Sequence, residues 1–320
     1  MIPASNIADP TPAALVKAAR LLAEGKLVAF PTETVYGLGA DARSDEAVAS
    51  IFAAKGRPKF NPLIVHVESL AAAERYGMFD ARAKALAARF WPGALTLVVP
   101  RAPGCDASWL ATAGLETIAL RVPVHPIAQQ LLKTFGGPLA APSANRSGTV
   151  SATTARHVAE SVGDAVALIL DGGPTTHGLE STIVGFTGSD AILLRPGAIT
   201  RAEIEGVAGP LGAGTDTEDA PFSPGRLKRH YATAKPLRLN ATSAAGEEAL
   251  LAFGAPLAGA RVTLNLSAAG DLVEAAAHLF AMLRKLDAED VRGIAVMPIP
   301  AQGLGEAIND RLQRAAVRES

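Results

Sequence analysis

Lys55, Arg57 and Lys59 fall within five residues of one another, and no acid lies between Glu46 and Glu68. The chain has 30 Lys and Arg against 31 Asp and Glu, a net charge of −1, so this local excess of cation suggests one bound anion rather than a generally basic surface. Taken alone, three charges are equally compatible with a solvated loop. Their surroundings favour chemistry. KGRPKFNPLIVHV (55–67) is accompanied by two hydroxyl- and glycine-bearing segments, PTETVYGLGADA (31–42) and APSANRSGTVSATT (141–154). Each adjoins an apolar run that reads as a strand: LVAF, LIVHV and PLAA. Polar residues gathered at strand ends are where open α/β proteins build ligand sites.

Those segments need a scaffold. A chain of 320 residues, 49% apolar and 5% aromatic, is ordinary for a soluble α/β enzyme and long enough for two domains. Residues 11–24 read as a helix, with Thr11 as N-cap, Pro12 at N1 and Gly25 past its end. Further helices are expected over 45–55, 81–91 and 125–135. Strands are expected over 27–30, 63–67, 94–100, 117–123, 138–142 and 167–173, with a hairpin formed by STIVGF (181–186) and AILLRPG (191–197). Single strands together with a hairpin predict a mixed sheet. Near residue 206 the composition turns rich in glycine, proline and acid, which suits a linker. Beyond it, strand 261–266, a helix with Leu272, Val273, Ala276, Leu279, Phe280, Leu283 and Leu286 on one face, strand 293–300 and helix 304–317 make a small β-α-β-α unit. The expected division is 1–205 for a catalytic domain, 206–235 for a linker and 236–320 for a small domain.

Several function classes drop out. Cys105 is the only cysteine, so there is no disulfide framework and no thiolate metal site. The six histidines show no paired metal spacing. GLGADA (37–42) matches a dinucleotide pattern, but six residues separate it from Phe30, and Arg57 and Lys59 stand where an acid should hold a ribose. Neither a P-loop nor a G-x-S-x-G elbow is present, so covalent catalysis is not indicated. No secretory signal and no membrane-spanning run are read in the sequence, and a cytoplasmic location is expected.

In order along the chain, PTETVYGLGADA, KGRPKFNPLIVHV, FWPGALTLVV (90–99), RVPVHP (121–126), APSANRSG (141–148), HGLESTIV (177–184) and LRPGAIT (194–200) closely resemble the threonylcarbamoyl-AMP synthase family. SPGRLKRHYA (223–232) is similar to the linker of the family's long form, and NLS, LFAMLRKLD and GLGEAINDRLQRAA to its C-terminal domain. The resemblance implies an α/β fold: a YrdC-type domain with a twisted mixed sheet flanked by helices, plus a small Rossmann-like α/β C-terminal domain. It implies synthesis of threonylcarbamoyl-AMP and pyrophosphate from L-threonine, bicarbonate and ATP. Other proteins then carry the acyl group to the adenosine beside the anticodon in ANN-reading tRNAs.

That reaction needs positioning and charge neutralisation rather than a covalent residue. The resemblance implies catalytic roles for Lys55 and Arg57 with Ser143 and Asn145. It places Arg57, Asn61, Thr117, Ser143, Ser151, Arg195 and Tyr231 against ATP, with magnesium held mainly by the phosphates. It places Thr34, His66, Arg121, Ser181 and the backbone at Ala141 against L-threonine. Read without the resemblance, Thr34 is a turn residue, His66 a core histidine, Ser181 a strand-end cap and Arg121 the partner of Glu116 or another surface acid. Tyr231 is either a surface tyrosine in a tether or part of a lid over the site.

The chain departs from the family pattern at Thr233 and Ala152, where proline is common, and at Gly185, where an acid is expected. The main alternative is a non-catalytic RNA-binding module of a tRNA-modification complex, using Lys55, Arg57, Lys59 and Arg146 on phosphates. Weak RNA binding is compatible with the synthase reading too. A carbamoyl-transfer maturation enzyme would need cysteine-rich zinc segments that one cysteine does not supply.

Overall fold

The computed structural model describes residues 6–58, 60–186, 190–213 and 230–317. Lys59, residues 187–189 of the expected hairpin connection and 214–229 of the expected linker lie outside them.

Local signals set most helix ends. Thr11 accepts a hydrogen bond from the Ala14 amide and starts the helix Pro12–Ala23, while Gly25 follows with φ 74°. Ser44 caps Asp45–Lys55, which ends at Gly56 in the left-handed region. Helices Ala81–Phe90 and Pro126–Phe135 fall where periodicity places them. The helix Arg201–Ala208 was not anticipated, although its capping box, Thr200 with Glu203, is visible as T-x-x-E in the sequence. It carries regular structure past residue 205, where the linker was expected to begin.

One sheet of eleven strands dominates. In spatial order these are Ile7–Ala8, Leu168–Leu170, Val28–Phe30, Gly37–Asp41, Leu139–Ala140, Ile64–His66, Thr117–Arg121, Leu95–Pro100, Thr182–Gly185, Ile192–Arg195 and Gly212–Ala213. Parallel and antiparallel pairs are mixed along it, and the two strands expected as a hairpin pair antiparallel. The sheet is mixed, as expected.

GLGADA proves to be part of this sheet. Gly37–Asp41 runs antiparallel to Val28–Phe30, with Phe30 opposite Gly37. A Cβ at Gly39 would stand 2.7 Å from the fully buried Phe30 ring. Here glycine makes room for an aromatic ring and not for a phosphate, which removes the dinucleotide reading on physical grounds.

The small domain is a four-stranded parallel sheet, ordered Leu237–Arg238, Gly293–Val296, Glu248–Ala252, Val262–Asn265. Its helices are Leu272–Ala288 and Leu304–Ala316. Glu248–Ala252 lies inside the sheet yet was not read as a strand, because EALLA lacks β-branched and aromatic residues. Val273 was expected on the buried face of its helix and is instead 62% exposed. Leu279, Phe280, Leu283 and Leu286 do form that face.

The core of the small domain runs directly into the large one, since Val35, Val150 and Leu179 belong to the same apolar cluster as Leu279, Phe280 and Leu283. Contact is close: a Cβ at Gly178 would stand 2.5 Å from the carbonyl oxygens of Ala276 and Ala277. Arg284 donates to the carbonyls of Val150 and Ser151, and Arg201 pairs with Glu306 at 2.7 Å.

Replacing Gly39 by valine forces side-chain atoms into the Phe30 ring, and overpacking of this kind costs about 1–3 kcal/mol. Urea unfolding should show a lower midpoint with an unchanged slope; an unchanged midpoint would contradict the packing role.

Candidate active site

A cavity of about 50 Å³ opens at the ends of the central strands. Its lining draws on the segments singled out in the sequence: Thr34 and Val35, Arg57, Ile64 and His66, Arg121, Ala141 to Ser143, Glu180 and Ser181, Arg195, and His230 and Tyr231. Register explains part of the convergence. His66 and Arg121 are direct partners on parallel strands, and Ser181 immediately precedes the strand that pairs with Leu95–Pro100. A larger groove of about 630 Å³ lies between the domains but draws on only one of the three polar segments, at 146–150, so the smaller cavity is the candidate site.

At one end stands Arg121. Its Nη2 donates to Glu33 at 2.5 Å and its Nε to the Gly93 carbonyl at 3.3 Å. The partner is buried Glu33 and not Glu116, and both side chains of the pair are buried. Burial pushes the Glu33 carboxyl up, but the Arg121 charge and hydrogen bond outweigh it and hold it below the ordinary range. Arg121 is thereby held in place with further N–H groups able to receive a carboxylate. The hydroxyls of Thr34 and Thr32 are 2.8 Å apart, and Ser181 Oγ lies 2.7 Å from Thr96 Oγ1. His66 is not a satisfied core residue, because its Nδ1 is buried and makes no hydrogen bond. Burial and then the nearby Arg121 lower its pKa to about 3, so the ring is neutral.

At the other end, cations converge on few acids. Arg57 donates to the carbonyls of Asn61 and Pro62, and Arg195 to the Ser181 carbonyl at 2.8 Å and hydroxyl at 3.2 Å. Burial lowers both pKa values to about 10, and for Arg57 the Arg195 charge adds to the effect. Lys55 does not line the cavity. Its ammonium donates to the Ser143 and Asn145 carbonyls and so shapes the PSAN turn; burial and then Arg57 pull its pKa well below the ordinary range. The two motifs linked by resemblance are thus in contact. Asn145 donates to the carbonyls of Arg146 and Thr149, while its Oδ1 and both polar atoms of Asn61 are buried without a hydrogen bond. Ser151 is buried behind the wall and donates to Glu180 at 2.6 Å. Thr117 stands four residues from Arg121, at the other end of the same strand and outside the lining.

The described end of the expected linker closes the remaining side. Tyr231 is fully buried with φ 62°, stacks on Phe280 at 5.3 Å, and leaves its hydroxyl unpaired. It is no surface tyrosine. Ala232 is anchored by its amide to the Gly148 carbonyl at 2.7 Å.

Sequence reasoning missed Glu33, Glu180, His230, Thr96 and Arg311. Glu33 and Glu180 sit inside motifs already singled out, PTET and LEST, which was the available signal. Arg311, on a helix of the small domain, likewise sits inside a quoted segment, GLGEAINDRLQRAA. Among the described residues no cluster of three His, Cys, Asp or Glu side chains could hold a metal. The one carboxylate among the lining residues, Glu180, is already engaged by Ser151 and Arg311. Unpaired polar atoms at Asn61, His66, Asn145, His230 and Tyr231, beside an excess of cation, form a site that an anionic, hydrogen-bonding molecule would complete.

Comparison with known proteins agrees. A family model described as "Telomere recombination" matches residues 20–197, and one described as "Threonylcarbamoyl-AMP synthase, C-terminal domain" matches residues 199–317. The threonylcarbamoyl-AMP synthase of Bacillus subtilis (strain 168) is 43% identical over 322 residues, covering 94% of this chain and 92% of that protein. That of Pyrococcus abyssi (strain GE5 / Orsay) is 40% identical over 320 residues, covering 93% of each. The crystal structure of P. abyssi Sua5 complexed with L-threonine matches with a TM-score of 0.88 at 38% identity, covering 94% of both chains.

Three histidines, of which His66 and His230 are buried and His157 partly so, give the fold an acid limit. Burial lowers His66 and His230 to about 3 and His157 to about 4, from an ordinary 6.5. Below 6.5 the unfolded chain takes up protons that the folded chain refuses, so stability is lost as pH falls. Glu33 and Glu180, both held below the ordinary 4.5, add to the loss in the same direction at lower pH. Thermal melts should be level near neutrality, with stability falling by roughly a few kcal/mol by about pH 5. A flat profile over that window would show that these rings are not buried neutral.

Proposed function

We infer that the chain, which belongs to the threonylcarbamoyl-AMP synthase family, makes L-threonylcarbamoyl-AMP and pyrophosphate from L-threonine, bicarbonate and ATP. The observation that carries this reading is a single cavity with two kinds of end: Arg121 with the hydroxyls of Thr34 and Ser181 and the imidazole of His66, and Arg57 with Arg195. The first suits the carboxylate and hydroxyl of threonine, the second a polyphosphate.

The amine of threonine adds to bicarbonate with loss of water, giving a carbamate. A carbamate oxygen then forms a bond to the α-phosphorus of ATP, and the bond to the β-phosphate oxygen breaks, releasing pyrophosphate. Arg121 holds the amino-acid carboxylate, and Arg57 and Arg195 offset charge on the phosphates. Ser143, which lines the cavity, and the backbone of the PSAN turn held by Lys55 orient the nucleotide, with Asn61, Asn145, Ser151 and Thr117 assigned to its surroundings. Magnesium enters with ATP as its phosphate complex, since the protein supplies no carboxylate set of its own among the described residues. A cavity of about 50 Å³ is far too small for ATP, so the His230–Tyr231 side must move for the nucleotide to enter.

The product serves proteins that transfer the acyl group to tRNA, and a cytoplasmic location fits that role. No helix of the described residues is long and apolar enough to cross a membrane. The RNA-binding alternative loses support because Lys55 and Arg57 are 3% and 8% exposed and cannot meet a surface phosphate chain.

Pyrophosphate release from MgATP should require both bicarbonate and L-threonine. Arg121→Ala removes the carboxylate partner and leaves Glu33 uncompensated, which should cut kcat/KM for threonine roughly a hundredfold or more. Release that does not depend on threonine would point to a different acceptor. Tyr231→Ala should lower product yield and raise loss of the intermediate; unchanged turnover and yield would remove Tyr231 from the closing role.

A further inference from the structure

Arg311 is the largest fully buried side chain among the described residues, and it comes from the last helix of the small domain. A guanidinium at 0% exposure is not needed to close a small α/β core. Except for its neighbour Asp310, its contacts lie outside the small domain's own sheet and helices. Its Nε donates to Glu180 Oε2 at 3.0 Å, its Nη1 to the Pro196 carbonyl at 2.6 Å and to Asp310 at 3.0 Å, and its Cζ stands 5.6 Å from the centre of the Tyr231 ring. Each of the three outside contacts is, or adjoins, a residue assigned to substrate: Glu180 precedes Ser181, Pro196 follows Arg195, and Tyr231 faces the cavity itself.

Glu180 is the centre of the matter. It lines the cavity, is 6% exposed, and uses its other oxygen to hold the Ser151 hydroxyl at 2.6 Å. A lone carboxylate in the wall of a polyphosphate pocket would repel the ligand. Arg311 neutralises it from behind without entering the cavity. Burial pushes the Glu180 carboxyl up, but Arg311, Arg195 and the Ser151 hydrogen bond hold it low, so it stays ionised and keeps its grip on Ser151.

We propose that Arg311 is a positioning residue for the nucleotide half of the site: from the small domain it cancels the charge of Glu180, fixes Glu180 and Ser151 in place, and supports the ring of Tyr231. The proposal rests on the synthase reading for the identity of the ligand. It gives the small domain a direct part in nucleotide binding, beyond serving as an anchor for the linker.

The test uses the full chain. Arg311→Met leaves Glu180 as an uncompensated buried carboxylate, and nucleotide affinity should fall roughly tenfold or more, both as KM for ATP and as direct binding of a non-hydrolysable ATP analogue. L-Threonine binding without nucleotide should stay within about twofold, because Arg121 and Glu33 are untouched. Adding Glu180→Gln to Arg311→Met removes the stranded charge and should return analogue affinity to within about threefold of the wild type. Arg311→Lys, which keeps the charge, should lose less than Arg311→Met. If Arg311→Met does not fold, the double variant and Arg311→Lys carry the test. Unchanged nucleotide affinity in Arg311→Met, an equal loss of threonine and nucleotide binding, or a double variant no better than Arg311→Met would each overturn the proposal. A wild-type enzyme that binds the analogue but releases no pyrophosphate would instead defeat the proposed reaction, and the binding series would still decide the role of Arg311.

Discussion

Arg57, Arg121 and Arg195 line one small cavity and Lys55 and Arg311 stand outside its lining, all at exposures between 0% and 8%, and the buried carboxylates beside them are Glu33 and Glu180. Removing so many cations from water is costly, by several kcal/mol for each ion left uncompensated. The protein limits the cost by turning backbone carbonyls toward them: those of Ser143 and Asn145 at Lys55, Asn61 and Pro62 at Arg57, Ser181 at Arg195, Gly93 at Arg121 and Pro196 at Arg311. These carbonyls belong to loops at strand ends, so the charge constraint dictates loop conformation. The remaining excess of positive charge suits an anionic ligand.

The sheet is arranged to serve this constraint. Parallel pairing of Ile64–His66 with Thr117–Arg121 sets an imidazole and a guanidinium side by side, and pairing of Leu95–Pro100 with Thr182–Gly185 brings Ser181 to the same rim. Hydroxyl contacts such as Thr96 with Ser181 then fix orientation. A site built this way suits chemistry that relies on fixed charges and dipoles. The small domain takes part because its core continues through Tyr231 into Val35, Val150 and Leu179 of the large one.

Much of this was legible beforehand. Thr11, Ser44 and Gly25 announce helix ends through hydrogen bonds made within a few residues, and the strand runs are apolar over their own length. The polar segments at strand ends contain most of the cavity wall. Where reading failed, local preference and tertiary setting disagree. EALLA looks like helix-forming sequence but is held inside a parallel sheet by partners on both sides. GLGADA matches a dinucleotide pattern that its spacing already argued against, and the packing gives the reason for its glycines, which clear space for Phe30. Lys55, suited by type to a triphosphate, stands outside the cavity lining and braces the turn that carries Ser143.

Most element types, the mixed α/β class, the motif residues that carry the family resemblance and the concentration of charge around residue 55 are set by the sequence alone. These depend on backbone preference, periodicity and short-range spacing, all of which are local. Tertiary structure alone decided which charges meet. Arg121 finds Glu33 across 88 residues, Ser151 finds Glu180 across 29, and Arg311 reaches Glu180 across 131. Such pairs are chosen by how the sheet and the two domains pack, because a buried ion must meet whichever counter-ion the fold brings within reach, and no local pattern encodes that distance.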